Sequence, residues 1–254
     1  MSKTHLEFIL SETSFSATWM NENSVTSIGT VTFLSKKEFQ IKEQIQQFLE
    51  ANDLINTEYD EYSLSWSSKL STLVPMNIFS VSSASAIFQA CFTKEIISND
   101  IDYNRLAELS IVNIYEIPLW VKSFFVIKYP RIIIQHEGSH FLRGIFSNST
   151  FKLGIHIVLH ENYFMLVLVK HNELLFYNQF DYSNEDDVLY YLTFTLKQKQ
   201  LLGDEGQLFL HITDETKSDF ETNFLSKVKQ FTDLKKLAVM DSKNLSVKYQ
   251  NTCV

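Results

Sequence analysis

Residues 153–198 read LGIHIVLHENYFMLVLVKHNELLFYNQFDYSNEDDVLYYLTFTLKQ. Three β-rich runs, Leu153 to Leu159, Tyr163 to Val169 and Leu174 to Phe180, are broken by the polar turns His160-Glu161-Asn162 and His171-Asn172. Runs of that length with polar breaks are the pattern of an antiparallel meander. A helix follows, because Asn184 is an N-cap residue and residues 185–187 are acids, placed where the helix dipole favours negative charge. Val188, Leu189, Leu192 and Leu196 then recur at helical spacing. Further on, Leu208 to Ile212 reads as a strand, Phe220, Phe224, Leu225 and Val228 as one helix face, and Leu234 to Val239 as a last strand.

The same order runs through the N-terminal half. Leu6 to Leu10, Phe15 to Trp19 and Val25 to Phe33 form a meander with turns at Ser11-Glu12-Thr13 and Asn21-Glu22-Asn23. Ser35 and Glu38 match a capping box ahead of a helix over 37–50, and Tyr62, Leu64 and Trp66 alternate with serines as in a half-buried strand. A helix over about 77–92, a strand at Ile111 to Tyr115, a helix between Pro118 and Pro130, the run Ile132 to Ile134 and a helix over 137–147 complete it. Residues 93–110 have no counterpart and read as an insertion. The expected class is α/β with mixed sheets, in two tandem βββαβαβ lobes at 1–150 and 151–240 with a polar tail at 241–254.

Composition narrows the function. The chain has 254 residues, 45% hydrophobic, with 6 Gly and 3 Pro, enough apolar side chain for a sizeable core and no low-complexity stretch. The net charge of −8, with Arg105, Arg131 and Arg143 the arginines, argues against nucleic-acid and anionic-membrane partners. The most apolar window, Ile117 to Ile127, is shorter than the about 20 residues of a membrane span and contains Lys122. No signal peptide follows Met1, so a cytoplasmic protein is expected. Cys91 and Cys253 have neither metal-ligand nor redox spacing.

A lobe of three antiparallel strands, helix, strand, helix, strand resembles the ribonuclease H-like unit, and two in tandem resemble the actin-like ATPase superfamily. Leu73-Val74-Pro75, Asn178-Gln179-Phe180-Asp181-Tyr182 and Asp186-Asp187-Val188-Leu189-Tyr190-Tyr191-Leu192 are similar to an uncharacterised bacterial domain-of-unknown-function family with an actin-like fold. That resemblance implies a fold and no activity. ATP-binding members carry glycine and aspartate in the first hairpin of each lobe, where backbone amides approach phosphate. Here those turns hold Glu12, Thr13 and Ser14, and His160, Glu161 and Asn162; the adenosine loop falls at Thr213 and Asp214. None has glycine, so no cofactor is expected and the turn residues read as ordinary ones.

A ribonuclease H-like nuclease would gather carboxylates around two metal ions on adjacent core strands; the first strands offer Glu7 in one lobe and His156 in the other, with no matching Asp on the following core strands. His136-Glu137-Gly138-Ser139-His140 matches H-E-x-x-H, in which His136 and His140 would hold zinc with Glu161 as third ligand and Glu137 would activate water. Yet Phe146 stands where the extended motif needs histidine, and Gly138 weakens a helix by about 1 kcal/mol. A strand-to-helix junction is the expected reading, with the metal-dependent hydrolase and a divergent nucleotide-binding ATPase as alternatives. Tyr182, Tyr190 and Tyr191 could line a binding surface but read as core residues. The expected function is non-catalytic: a scaffold that binds a protein partner or small ligand in the cleft between the lobes.

Overall fold

Alternation in the first strand decides which side of the first sheet is dry: Leu6, Phe8 and Leu10 point one way and are fully buried. The computed structural model describes residues 3–21, 24–92, 100–148, 150–212 and 218–240. They fall into two compact units, Met1–Arg143 and Gly144–Lys248.

In the first unit β1 (His5–Ser11), β2 (Ser14–Asn21) and β3 (Ser24–Thr32) form the expected meander, followed by α1 (Glu38–Ala51) and β4 (Glu61–Ser67), which returns parallel to β1. Next come β5 (Ser71–Pro75), α2 (Ala84–Cys91), β6 (Ile101–Leu106) and β7 (Ile111–Glu116), then α3 (Leu119–Lys128), β8 (Ile133–His136) and α4 (Glu137–Phe146). The main sheet has the order β3-β2-β1-β4-β8, and β5-β7-β6 is a separate antiparallel sheet. Ile41, Ile45 and Leu49 of α1 and Val121 and Phe125 of α3 close over Leu6, Phe8 and Leu10. Phe8 sits 5.4 Å from Phe15, 5.6 Å from Phe125 and 5.1 Å from Tyr129 between ring centroids. Each such buried ring stabilises the fold by about 1.5–3 kcal/mol relative to exposure.

Three expectations change here. The helix and strand that complete the main sheet are α3 and β8, and the segment without a counterpart is the whole β5-β7-β6 sheet with α2, wider than 93–110. It has its own core, Val74, Ala84, Phe88, Val112 and Ile114. The helix expected over 77–92 is confined to 84–91: Ser80 and Ser83 form a capping box that starts the second of two 3₁₀ turns, Met76–Ile78 and Val81–Ser83, and these precede it. The capping box at Ser35 and Glu38 does not form. Ser35 Oγ instead accepts a 3.1 Å bond from Lys37 N in a local turn, and α1 starts at Glu38 without a side-chain cap.

The second unit holds β9 (Leu153–Leu159), β10 (Tyr163–Lys170), β11 (Glu173–Asp181), α5 (Glu185–Gln198), β12 (Gly206–Ile212), α6 (Ser218–Gln230) and β13 (Leu237–Met240). Its sheet order is β11-β10-β9-β12-β13. β9, β10 and β11 pair antiparallel, and β12 runs parallel to both β9 and β13. Strand for strand this is the arrangement of the first main sheet. Asn184 caps α5 through bonds from Asp186 N and Asp187 N at 2.9 and 3.2 Å, and Asp187 answers as the return half of a capping box. Gly206 is required where β12 meets β9: a Cβ there would lie 2.8 Å from the Leu153 carbonyl oxygen.

Candidate functional site

The turn between β1 and β2 is closed by its own side chain. Ser11 Oγ accepts from Thr13 N at 3.2 Å and from Ser14 N at 3.0 Å, and lies 3.1 Å from Ser14 Oγ. The amides of Thr13 and Ser14 are therefore already bonded, and the exposed Glu12 adds negative charge at the tip. The turn between β9 and β10 is also filled. His160 N donates to Tyr163 O at 2.9 Å, its ring stacks on Tyr163 at 4.3 Å, and Tyr182 Oη donates to His160 O at 2.6 Å. Asn162 O accepts from Tyr182 N at 3.2 Å, and Glu161 is exposed. Thr213 and Asp214 lie outside the described residues.

His136 is the last residue of β8 and Glu137 the first of α4, so H-E-x-x-H straddles two elements and its histidines do not share a helix face. His136 Nε2 bonds the Ser68 carbonyl at 2.9 Å while Nδ1 accepts from Gly138 N at 3.0 Å; both ring nitrogens are committed. Glu137 Oε2 accepts from Ser67 Oγ at 2.8 Å. His140 is buried with neither ring nitrogen bonded among the described residues, and burial, with Arg143 adding to it, pushes its pKa down to about 3. Glu161 belongs to the β9–β10 turn of the second unit. Among the described residues no three His, Cys, Asp or Glu side chains are grouped to hold a metal ion.

This junction instead fastens the small sheet. Asn104 Oδ1 of β6 accepts from His136 N at 2.8 Å and from Ser139 Oγ at 2.9 Å, and Asn113 Nδ2 of β7 donates to Ser139 Oγ at 3.1 Å. Arg143 extends the clamp to Gln135 Oε1 at 2.6 Å, Glu108 Oε1 at 2.8 Å and the Arg105 carbonyl at 2.8 Å. Ser139 is fully buried in this network, which keeps it from any substrate.

Glu7, in register between Thr18 and Ser63, is 0% exposed and neither carboxyl oxygen has a hydrogen-bond partner. Burial raises its pKa well above the ordinary carboxylate value. His156 stacks on Phe209 at 4.4 Å and lies 3.5 Å from His211 (Nδ1 to Nε2), and burial lowers the pKa of both histidines.

A surface groove lies in the second unit, where α5 overhangs the edge strand β11. Phe176, Asn178 and Phe180 alternate along one face of β11 and meet Tyr190, Tyr191 and Phe194 of α5 around a largely apolar groove of about 240 Å³. Phe180 and Tyr191 stack at 4.3 Å, and Tyr190 and Phe194 at 5.9 Å. Lys199 lies 5.9 Å from the Phe176 ring centre, a cation at one end of the groove. The three tyrosines expected in the core are separated: Tyr182 is buried, Tyr191 half-buried and Tyr190 60% exposed. With Val188 and Leu192 turned inward, a helical step of 100° leaves position 190 facing out. Phe176, Phe180, Phe194 and Lys199 did not stand out in the sequence. Their one signal was Tyr190 and Phe194, four residues apart and off the buried stripe.

Two mixed sheets of the same strand order place the chain among proteins with an actin-like ATPase fold. The model of the family described as "Protein of unknown function (DUF3822)" matches residues 2–231, and the chain belongs to that family. It is similar to a Bacteroides thetaiotaomicron protein with actin-like ATPase fold and unknown function. That match has a TM-score of 0.81 at 18% identity, covering 99% of this chain and 96% of that one. It is also similar in fold to the PilM-PilN type IV pilus biogenesis complex, with a TM-score of 0.59 at 9% identity, covering 99% and 94% of the two chains. No curated protein matches the chain in sequence. No described helix is long and apolar enough to cross a membrane.

Proposed function

We propose that this protein is a non-catalytic binding protein: an actin-like frame that does not hold or hydrolyse nucleotide and engages a protein partner through the aromatic groove of α5 and β11. The observation that carries this reading is the β1–β2 turn, whose amides are taken by Ser11 Oγ where a nucleotide-binding frame leaves them free for phosphate. The groove supports the second half, because exposed aromatic side chains around a concave surface are the ordinary anchors of protein recognition. Partner binding by this frame has an analogy in PilM, which is found in complex with PilN. On the same reading the protein works in the cytoplasm, its negative charge keeps it off nucleic acid, and its lobes arose by duplication of one βββαβαβ unit.

Calorimetric titration with magnesium-ATP tests the nucleotide half. No heat of binding and phosphate release at the buffer rate are expected, with no rise in melting temperature. A bound nucleotide at 100 times its dissociation constant would stabilise by about 2.7 kcal/mol, so micromolar binding is readily seen and would overturn the reading.

A further inference from the structure

Helix α5 exposes a stripe that is symmetric in chemistry about its own middle. Asp187, Tyr190, Phe194 and Lys197 follow one another at intervals of three, four and three residues, the spacing that lines up side chains where one helix packs along another. Val188, Leu192 and Leu196 occupy the opposite, buried side. Tyr190 and Phe194 are 60% and 47% exposed, unusual for two stacked aromatic rings. The N-terminal turn carries Glu185, Asp186 and Asp187, while Lys197 lies in the last turn and Lys199 at the C-cap.

If the helix is laid against a second α5 running the other way, about an axis beside Leu192, the pairs are complementary throughout. Tyr190 falls opposite Phe194 of the second copy and Asp187 opposite Lys197. Each contact occurs twice, as a twofold interface requires, and the helix dipoles oppose one another favourably. The acids are partly engaged within their own chain, Asp186 with Lys227 at 2.7 Å, Glu185 with Lys227 at 3.7 Å and Asp187 Oδ2 with Ser183 N at 2.7 Å. A carboxylate has about four acceptor sites, so each can take a further cation. Among the described residues no salt bridge engages Lys197.

We propose that two copies of this chain pair through antiparallel α5 helices, with Tyr190 and Phe194 as the apolar centre and the acidic and basic ends as reciprocal clasps. This rests on the reading of the aromatic groove as a partner surface and names its partner as a second copy. The seam from Asp187 to Lys197 is about 15 Å long, short for a permanent interface, which sets the expected dissociation constant in the micromolar range.

Sedimentation equilibrium of the full chain, from low to high micromolar concentration and at low salt, tests it. The wild-type chain should pass from monomer to dimer over that range. Phe194→Glu should weaken pairing by about tenfold or more, as loss of a central aromatic anchor does. Asp187→Lys and Lys197→Glu change a half-buried and an exposed side chain at the two ends of the stripe, outside the core; Asp187→Lys also loses the return half of the capping box, so the melting temperature of each variant is followed alongside. Each alone should weaken self-association about fivefold by setting like charges opposite one another, and an equimolar mixture of the two should recover wild-type affinity as a heterodimer. A wild-type chain that stays monomeric throughout overturns the proposal, as does a dimer indifferent to Phe194→Glu or a mixture no tighter than its components. Such a failure is distinct from micromolar ATP binding, which would overturn the non-catalytic reading instead.

Discussion

Glu7 is the residue whose sequence context and structural role diverge most. In the alternation of the first strand it falls on the side opposite Leu6, Phe8 and Leu10, yet it is fully buried between Thr18 and Ser63 without a bonding partner among the described residues. Its raised pKa means that the native state keeps a proton the unfolded chain gives up. The associated stability is fully present below the unfolded carboxyl pKa of about 4.3 and is lost as pH rises toward the native value. Glu7→Met is expected to stabilise the protein at neutral pH by about 1–3 kcal/mol and to remove that loss, because an unsatisfied buried polar group is replaced by an apolar one of similar length. Urea unfolding of both proteins across the mildly acidic to neutral range measures it, and an unchanged profile would assign the carboxyl a bonded environment. No pattern in the sequence could have revealed this, since burial of the second face depends on what folds over it.

Element ends were read well where the chemistry is local and poorly where it is not. At α5 the Asn184 cap and its acidic first turn were legible from residues 184–187 alone, and the bonds from Asp186 N and Asp187 N form as expected. Asn184→Ala should cost about 1 kcal/mol and lower the melting temperature by a few degrees, checked by calorimetry. At α1 the same kind of pattern misled, because Ser35 is two residues too early and its hydroxyl finds Lys37 N first. The H-E-x-x-H string shows the limit most clearly. Its residues are contiguous, but the helix begins between the first histidine and the glutamate, and the partners that occupy His136 come from Ser68, Asn104 and Asn113, distant in sequence.

At the scale of the molecule, three buried histidines, His140, His156 and His211, oppose Glu7 in their effect on stability. Their pKa values are lowered by burial, for His140 and His211 to about 3, so the native state excludes a proton that the unfolded chain accepts. The stability they contribute is present above the unfolded value of about 6.5 and is lost as pH falls from there toward 3, at roughly 1.4 kcal/mol per pH unit for each. Cooperative acid unfolding well above pH 3 is the expected result, followed by circular dichroism. His211→Gln should shift its midpoint to lower pH, and a shift the other way would count against the assignment.

What the sequence determined by itself is the double meander, the helices that follow each, and the absence of glycine from the turns that would cradle phosphate. Those features depend on periodicity and residue type within a few positions. Only the tertiary structure decided that a third sheet sits on the first unit through Asn104 and Asn113, that Ser11 closes its own turn, and that β11 and α5 bring Phe176, Phe180, Tyr190 and Phe194 into one groove. Each of those joins residues whose proximity is set by which strand lies at a sheet edge and which face of a helix is left uncovered, quantities that no local pattern encodes.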